Sequence, residues 1–218
     1  MRALALAFLL APWLGGEARA ATVTDPTGDF LSSYSGPQGA DLDVVSTNAT
    51  LHGSDLVLNA TLAGPIGTTP GAFYVWGVDR GAGASTASFA SLSLPNIVFD
   101  SVVIVQPDGS GQVVLLGGAS PVMTPLASGS VLISGNSFAA TVPLSMLPSN
   151  GLSAQSYTQN LWPRYLGVTS DDQISDFAPD ATMAPVTAPE PVALALVGLS
   201  GLCLLARARR PSEGRPRR

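Results

Sequence analysis

Residues 44–62 read VVSTNATLHGSDLVLNATL, and this stretch decides the fold class. Two runs rich in β-branched and aliphatic residues flank His52-Gly53-Ser54-Asp55, a composition typical of a tight turn. In the second run, apolar residues alternate with polar ones, as in a strand with one buried face; the apolar set is Leu56, Leu58, Ala60 and Leu62. The stretch therefore predicts a β-hairpin of Val44–Leu51 and Leu56–Leu62.

The same pattern of short strands and Gly, Pro, Ser or Asn turns continues through the chain, and no segment sustains helical periodicity. A short helix is expected only at 143–147. Strands apolar on both faces are expected to be central ones. Predicted strands are Ala72–Asp79 and Ile97–Val105 (both apolar on both faces), Gln112–Leu116 after the turn at 106–110, Ser130–Ser134 paired with Ser137–Pro143, and Tyr157–Pro163. Residues 21–184 are thus predicted to form an all-β domain, a β-sandwich of jelly-roll or immunoglobulin-like kind with seven to nine strands.

The charge of this domain narrows the classes of partner. Residues 21–188 contain twelve Asp but only two basic residues, Arg80 and Arg164, which gives a charge of −10. Nucleic acid and anionic surfaces are therefore not expected partners, whereas divalent cations and neutral ligands are. The one cysteine, Cys203, lies outside the domain, so the domain has neither a disulfide nor a thiol nucleophile.

The N-terminal end predicts export. Residues 1–20 combine Arg2, the apolar run Ala3–Ala11 and the small-x-small site Ala18-Arg19-Ala20, as in a cleaved signal peptide. A transmembrane helix is the alternative, but the apolar run is about half of the ~20 residues needed to span a membrane.

The C-terminal end has three parts in a fixed order. A spacer with the triplet Pro189-Glu190-Pro191 occupies residues 185–191, an uncharged apolar segment occupies 192–206, and an Arg-rich tail occupies 207–218. We expect 192–206 to form a short transmembrane helix with the tail held in the cytoplasm, because basic residues stay on that side. The domain would then lie outside the inner membrane.

This tripartite tail resembles the PEP-CTERM sorting signal of Gram-negative bacteria. In that family an exosortase, a membrane-embedded cysteine transpeptidase, is thought to cut at or near the triplet and pass the protein to the cell exterior, usually alongside exopolysaccharide production. The resemblance implies transient anchoring in the inner membrane, processing by exosortase, and a final place at the cell surface or in the extracellular matrix. A simple C-terminal anchor is the alternative, but it leaves the triplet unexplained.

The aspartates of the domain concentrate near its two ends. Closely spaced Asp residues on turns supply the hard oxygen ligands that Ca²⁺ prefers, and chain termini often meet. The alternative for any one Asp is turn capping and solubility. The candidate metal ligands are Asp25, Asp29, Asp41 and Asp43 near the start and Asp171, Asp172 and Asp176 in the closing run, which ends at Asp180.

The order Asp-x-x-Gly-Asp, an Asp at a strand entrance and a late Ser-Asp-Phe-Ala-Pro resembles the calcium-supported sandwiches of the DOMON-like group, which includes family nine carbohydrate-binding modules. The resemblance implies Asp25, Asp29, Asp41 and Asp43 as ligands and a role in sugar binding. Candidate sugar-binding side chains are Trp76, Trp162 and Tyr165, because sugars stack on aromatic rings. The alternative for both tryptophans is a place in the core.

The sequence gives less support to an enzymatic function. His52 is the one histidine and lies in a predicted turn, and neither a nucleophile elbow nor a zinc-ligand pattern is present. We therefore predict a non-catalytic exported protein that binds calcium and exopolysaccharide. A purely structural matrix component and a secreted hydrolase with a carboxylate pair remain the alternatives.

Overall fold

Alternating apolar and polar side chains give many strands of this chain one buried face. The buried faces of two antiparallel sheets pack together to form a shared core. The computed structural model describes residues 22–81, 87–117 and 120–188. The strands in these residues are β1 (Val23–Thr24), β2 (Val44–His52), β3 (Asp55–Leu62), β4 (Ala72–Asp79), β5 (Ala87–Phe89), β6 (Leu94–Phe99), β7 (Ser101–Val105), β8 (Gly111–Leu115), β9 (Val122–Pro125), β10 (Val131–Ser134), β11 (Ser137–Pro143), β12 (Thr158–Tyr165) and β13 (Ala184–Pro185).

The helices of the described residues are all short 3₁₀ turns. They occupy Ala40–Leu42, Ala90–Leu92, Leu144–Met146, Ala154–Ser156 and Ser170–Gln173. None of the described helices is long and apolar enough to cross a membrane. The predicted signal peptide, the triplet Pro189-Glu190-Pro191, the transmembrane segment 192–206 and the tail all lie outside the described residues.

Eleven of the thirteen strands form two larger sheets. The first has the order β1-β2-β3-β11-β10, and the second has the order β13-β12-β4-β7-β8-β9. Leu56 and Leu58 of β3 share one hydrophobic core with Tyr74 and Trp76 of β4. The all-β, sandwich-like architecture predicted from the sequence is therefore confirmed, with more strands than the seven to nine expected.

The β2–β3 hairpin forms as predicted. β2 and β3 pair antiparallel from Leu51↔Leu56 and His52↔Asp55 at the turn, with one irregularity between Val44 and Ser46. Along β3 each even-numbered residue is buried and each odd-numbered one is half-buried. The period of two in the sequence thus fixes which face meets the core.

The single strand predicted at Ile97–Val105 is wrong. Residues 97–105 form two strands instead of one, because the chain leaves the β5-β6 sheet at Phe99 and enters the second sheet at Ser101. Asp100, between them, is fully buried, and its Oδ1 accepts a hydrogen bond from Nε of Arg80 at 2.9 Å. The sequence offers Asp79 and Asp100 as alternative partners of Arg80, and the structure pairs Arg80 with Asp100.

The start of the predicted spacer is also corrected. Pro185 belongs to β13, which pairs with β12, and Val186 is buried. Thr187 donates its N–H to the Ala49 carbonyl at 3.0 Å, while its own carbonyl accepts from Leu51 N at 2.7 Å. Residues 185–187 are therefore part of the domain, because their backbone groups complete hydrogen bonds to both sheets.

Candidate metal centre

The opening acids are positioned by the loop after β1. Asp25 donates its backbone N–H to Val45 O at 2.9 Å, which ties this loop to β2. Gly28 has φ +83°, a conformation that glycine adopts without strain, and its N–H donates to Oδ2 of Asp43 at 2.8 Å. The turn at Gly28 brings Asp29 back towards Asp25.

The closing acids approach the same place from the other end of the domain. Asp176 is 2% exposed, and its carboxylate accepts Val44 N–H at 2.8 Å and Phe177 N–H at 2.7 Å. Leu31 N–H donates to Ser175 O at 2.9 Å, so the opening and closing segments also contact through their backbones. These bonds hold Asp176 beside the start of β2.

Four carboxylates meet as a result. Each of Asp25, Asp29, Asp176 and Asp180 contributes one carboxylate oxygen, and these four oxygens all lie within 4.8 Å of one another. Asp176 is buried, Asp25 is half-buried, and Asp29 and Asp180 are exposed. We call this set the four-aspartate cluster; it could hold a metal ion and opens to solvent on the side of Asp29 and Asp180.

Burial, together with repulsion between neighbouring carboxylates, raises the pKa values of two members of the cluster. Burial, followed by the charges of Asp176, Asp180 and Asp29, raises the pKa of Asp25 to about 9. Burial and the charges of Asp29 and Asp43 raise the pKa of Asp176 to about 7, against the two backbone N–H donors, which lower it. Without a cation, these acids therefore retain protons at pH values where an ordinary Asp is ionised.

No base among the described residues neutralises the cluster. Arg80 pairs with Asp100 and donates to Pro148 O at 2.7 Å, and Arg164 donates to Ser170 O at 3.0 Å. His52 lies exposed at the end of β2. Close carboxylates of one sign need protons or a cation to share the site.

A fifth carboxylate, that of Asp43, lies near enough for its charge to act on Asp176. Asp43 is 6% exposed, and its Oδ1 is buried with no hydrogen-bond partner. Burial and the charge of Asp29 raise its pKa, against the N–H of Gly28, which lowers it. A buried, unpaired carboxylate oxygen is costly unless a cation or a proton compensates it.

The remaining predicted ligands lie elsewhere. Asp41 is fully buried and accepts hydrogen bonds from Thr69 N at 2.9 Å and Thr69 Oγ1 at 2.5 Å. Asp171 accepts a hydrogen bond from Ser91 Oγ at 2.9 Å, and Asp172 is exposed on the same 3₁₀ turn. None of the three belongs to the four-aspartate cluster.

Asp180 is the ligand candidate that sequence reasoning did not select. It ends the closing run of acids, four residues after Asp176, and one of its carboxylate oxygens lies within 4.8 Å of a carboxylate oxygen of Asp25. The only signal in the sequence was its place in that run. Which members of the run turn inward depends on the loop geometry after Phe177, which the sequence pattern does not reveal.

The tryptophans proposed to bind sugar are core residues. Trp76 is 0% exposed and Trp162 is 1% exposed, so neither ring offers a face to a ligand. Trp162 packs edge-on against Phe89 with ring centroids 5.0 Å apart and also contacts Phe99 and Phe177. The core alternative therefore describes both tryptophans, since Trp76 lies in the core shared by the two sheets and Trp162 lies in a second hydrophobic cluster with Phe89, Phe99 and Phe177.

Tyr165 has aromatic neighbours that the sequence did not reveal. A Cβ on Gly36 would collide with both Tyr34 and Tyr165, so these two side chains lie side by side. The ring of Tyr34 stacks on that of Phe30 with centroids 6.0 Å apart and planes 14° apart. Phe30 follows Asp29 directly, so this half-buried stacked pair adjoins the four-aspartate cluster in the chain.

Comparison with known proteins adds no family. No protein-family model matches the chain, and neither a curated protein nor a solved structure matches it. The resemblances to PEP-CTERM proteins and to DOMON-like sandwiches accordingly stay predictions from the sequence.

Proposed function

We propose that this chain is an exported, non-catalytic β-sandwich of the cell surface or extracellular matrix that binds Ca²⁺ where its two ends meet. The observation that carries the proposal is the four-aspartate cluster, in which Asp25 and Asp29 approach Asp176 and Asp180 to within 4.8 Å. One divalent cation would replace the protons that Asp25 and Asp176 otherwise retain.

The donor set favours calcium among common cations. It consists of carboxylate oxygens on loops, and Ca²⁺ takes about six to eight such ligands in flexible geometry, whereas Mg²⁺ demands a near-ideal octahedron. Zinc sites normally use Cys or His, and the cluster has neither. Asp43, with its buried and unpartnered Oδ1, adds negative charge that acts on Asp176.

The strand order supports the immunoglobulin-like form of the predicted sandwich. β2-β3-β11-β10 follows the order A-B-E-D, and β13-β12-β4-β7-β8 follows the order G-F-C-C′-C″ of variable-type domains. Trp76 is buried on β4, the counterpart of strand C. Tyr157, just before β12, donates its hydroxyl to Leu147 O at 3.0 Å, as in a tyrosine corner.

Sorting to the exterior rests on the two ends of the sequence. The predicted signal peptide, the Pro189-Glu190-Pro191 triplet, the apolar segment and the Arg-rich tail support inner-membrane anchoring followed by exosortase processing. In an exosortase-positive host, the mature protein should have the mass of a chain that lacks the residues after the triplet. A mature chain that retains the Arg-rich tail would contradict this part of the proposal.

Two alternative functions would use the same cluster differently, and experiment can distinguish them. A structural matrix component would have the same fold without binding calcium. A hydrolase would use two of the carboxylates on a bound substrate, as glycosidases do. Turnover of a polysaccharide that is lost in Asp25→Asn would favour the hydrolase over the binding protein.

The calcium proposal predicts a stabilisation that depends on the cluster. In metal-depleted full-length protein in detergent, saturating Ca²⁺ at about 100 times its Kd should raise Tm by about 5–10 °C, because the ion binds only the folded state. Mg²⁺ should raise it much less. Asp29→Asn and Asp180→Asn should remove most of this shift.

The matched control is Asp172→Asn, which removes an exposed acid of the same closing run outside the cluster. It should keep the full calcium shift. An unchanged Tm with calcium in the unsubstituted protein, or an equal loss of the shift in the control, would overturn the proposal.

A further inference from the structure

Most of the strongly exposed apolar side chains of the domain lie on two strands. Val122 and Met123 of β9 are 56% and 66% exposed, and Leu132 of β10 is 66% exposed. Leu166, directly after β12, is the other large apolar side chain of this exposure among the described residues. Single exposed apolar residues are ordinary, but several together indicate a contact surface.

The strands β9 and β10 end the two sheets on the same side of the sandwich. Among the described residues, β9 ends the second sheet beside β8, and β10 ends the first sheet beside β11. A Cβ on Gly111 of β8 would lie 3.2 Å from Cγ2 of Val131, so β10 packs over β8 and not over β9. Every residue of β9 is accordingly exposed. We call β9, residues 126–130 and β10 the open flank.

The open flank belongs to the part of the domain that has no charge. Residues 109–163 contain no charged side chain, so all the aspartates and both arginines of the domain lie outside this range. Two copies of a domain with charge −10 repel each other over most of their surfaces. The repulsion is smallest where two open flanks face each other. Charge depletion and exposed methionine are also typical of the centre of protein interfaces.

The backbone of β9 prevents the open flank from extending a sheet without limit. Leu126 N–H donates to Gly111 O at 2.9 Å. Because backbone groups alternate in direction along an antiparallel strand, those of Met123 and Pro125 then face away from β8. Pro125 has no N–H to offer at this edge, and proline at an edge opposes the addition of further strands. A contact at the open flank therefore forms mainly through side chains.

We infer that the open flank is the interface of a two-fold symmetric dimer of this chain. Both copies contribute the same surface, so Val122, Met123 and Leu132 of one copy cover the open flank of the other and leave water. The partner is a second copy because an uncharged flank on a strongly acidic domain is the surface where such copies approach without repulsion. The dimer does not depend on calcium, since the four-aspartate cluster lies outside residues 109–163.

Sedimentation equilibrium of the full-length protein in density-matched detergent measures the association. We expect a reversible dimer both with Ca²⁺ and with a chelator. Met123→Asp and Leu132→Asp each place two like charges in the symmetric contact, so each should raise the dissociation constant at least about tenfold. Both positions are exposed, so these variants should keep the Tm of the unsubstituted protein.

Leu166→Asp is the matched control, because it places the same charge at a similarly exposed leucine outside the open flank. It should dimerise like the unsubstituted protein. Cross-linking gives a second readout in protein that carries Cys203→Ser. With Met123→Cys a short bis-maleimide should link two copies, whereas with Leu166→Cys it should not.

A protein that stays monomeric at every concentration would overturn the inference. A dimer that persists in Met123→Asp and Leu132→Asp would also overturn it, because the contact would then form through another surface, such as the apolar segment 192–206. Equal weakening in Leu166→Asp, or growth beyond dimers, would contradict a closed contact at the open flank. Binding to lipid vesicles that requires the open flank, without dimers, would assign this surface to a membrane instead.

Discussion

At the scale of single residues, the decisive side chains are carboxylates whose environment differs from that of an ordinary surface Asp. Asp176 is almost fully buried, yet its carboxylate accepts hydrogen bonds from the backbone N–H groups of Val44 and Phe177 and not from a basic side chain. Asp25 has a buried Oδ2 without a hydrogen-bond partner. Such groups destabilise the metal-free fold when ionised, so the residues best suited to bind a cation are also the ones that make the fold depend on it.

The raised acidities predict an unusual dependence of stability on pH in the absence of metal. The folded state holds protons on Asp25 up to a pKa of about 9 and on Asp176 up to about 7, whereas unfolded Asp loses its proton near 3.9. At pH values between the pKa of unfolded Asp and the raised pKa values of Asp25 and Asp176, unfolding releases protons. The free energy of unfolding in chelator should therefore fall as pH rises from about 5 to 9.

Thermal unfolding in chelator across this pH range measures the effect. With excess Ca²⁺ the fall should disappear, because the ion compensates the ionised carboxylates. A Tm that rises with pH in chelator would contradict the shifted acidities.

At the scale of elements, a buried ion pair holds the break between β6 and β7 against a neighbouring loop. Arg80 follows β4 and is 5% exposed, and its guanidinium bonds to Asp100 and to Pro148 O. Asn150 Nδ2 donates to the other oxygen of Asp100 at 2.6 Å. The network ties the break between β6 and β7 to the loop that contains Pro148 and Asn150.

Arg80→Met should destabilise the domain by about 3–5 kcal/mol, because it leaves the fully buried Asp100 without its counter-charge. Chemical denaturation at fixed calcium measures this change. The double variant Arg80→Met, Asp100→Leu should recover much of the loss, since no buried charge remains. A single variant as stable as the unsubstituted protein would show that the pair does not act as described.

At the scale of the whole molecule, the acids concentrate where the ends of the domain meet. Residues 109–163, which include most of β8–β12, contain no charged side chain. Asp25, Asp29 and Asp43 from the start of the domain face Asp176 and Asp180 from its end. Calcium bound here would link segments that are more than a hundred residues apart in the sequence. The ion would therefore stabilise the contact between the two ends of the domain as well as the local loops.

Hydrogen exchange should therefore respond to calcium at both ends together. Adding Ca²⁺ should slow exchange in residues 22–31 and 174–180, because their opening would separate the ligands. Exchange in the centre of β4 should change little under native conditions. Slowing confined to one of the two segments would contradict a shared site.

Part of this organisation is local and was predictable. The β2–β3 hairpin, the turn at 106–110 and the β10–β11 hairpin follow from alternation and turn residues, which act over a few positions. Asp100 needs a counter-charge because it lies inside an apolar run, but the sequence left Asp79 and Asp100 as alternative partners of Arg80, and the structure selects Asp100. The concentration of acids at the domain ends correctly predicted that some would converge.

The amino-acid pattern alone was enough to predict the all-β class, the acidic domain and the exported, membrane-anchored ends. Only the tertiary structure decided that Asp180 joins Asp25 while Asp41, Asp171 and Asp172 do not, and that both tryptophans are covered. It also decided that residues 97–105 divide between sheets and that 185–187 complete the domain. The physical reason is that strand pattern depends on neighbours along the chain, whereas burial and ligand geometry depend on contacts between distant segments.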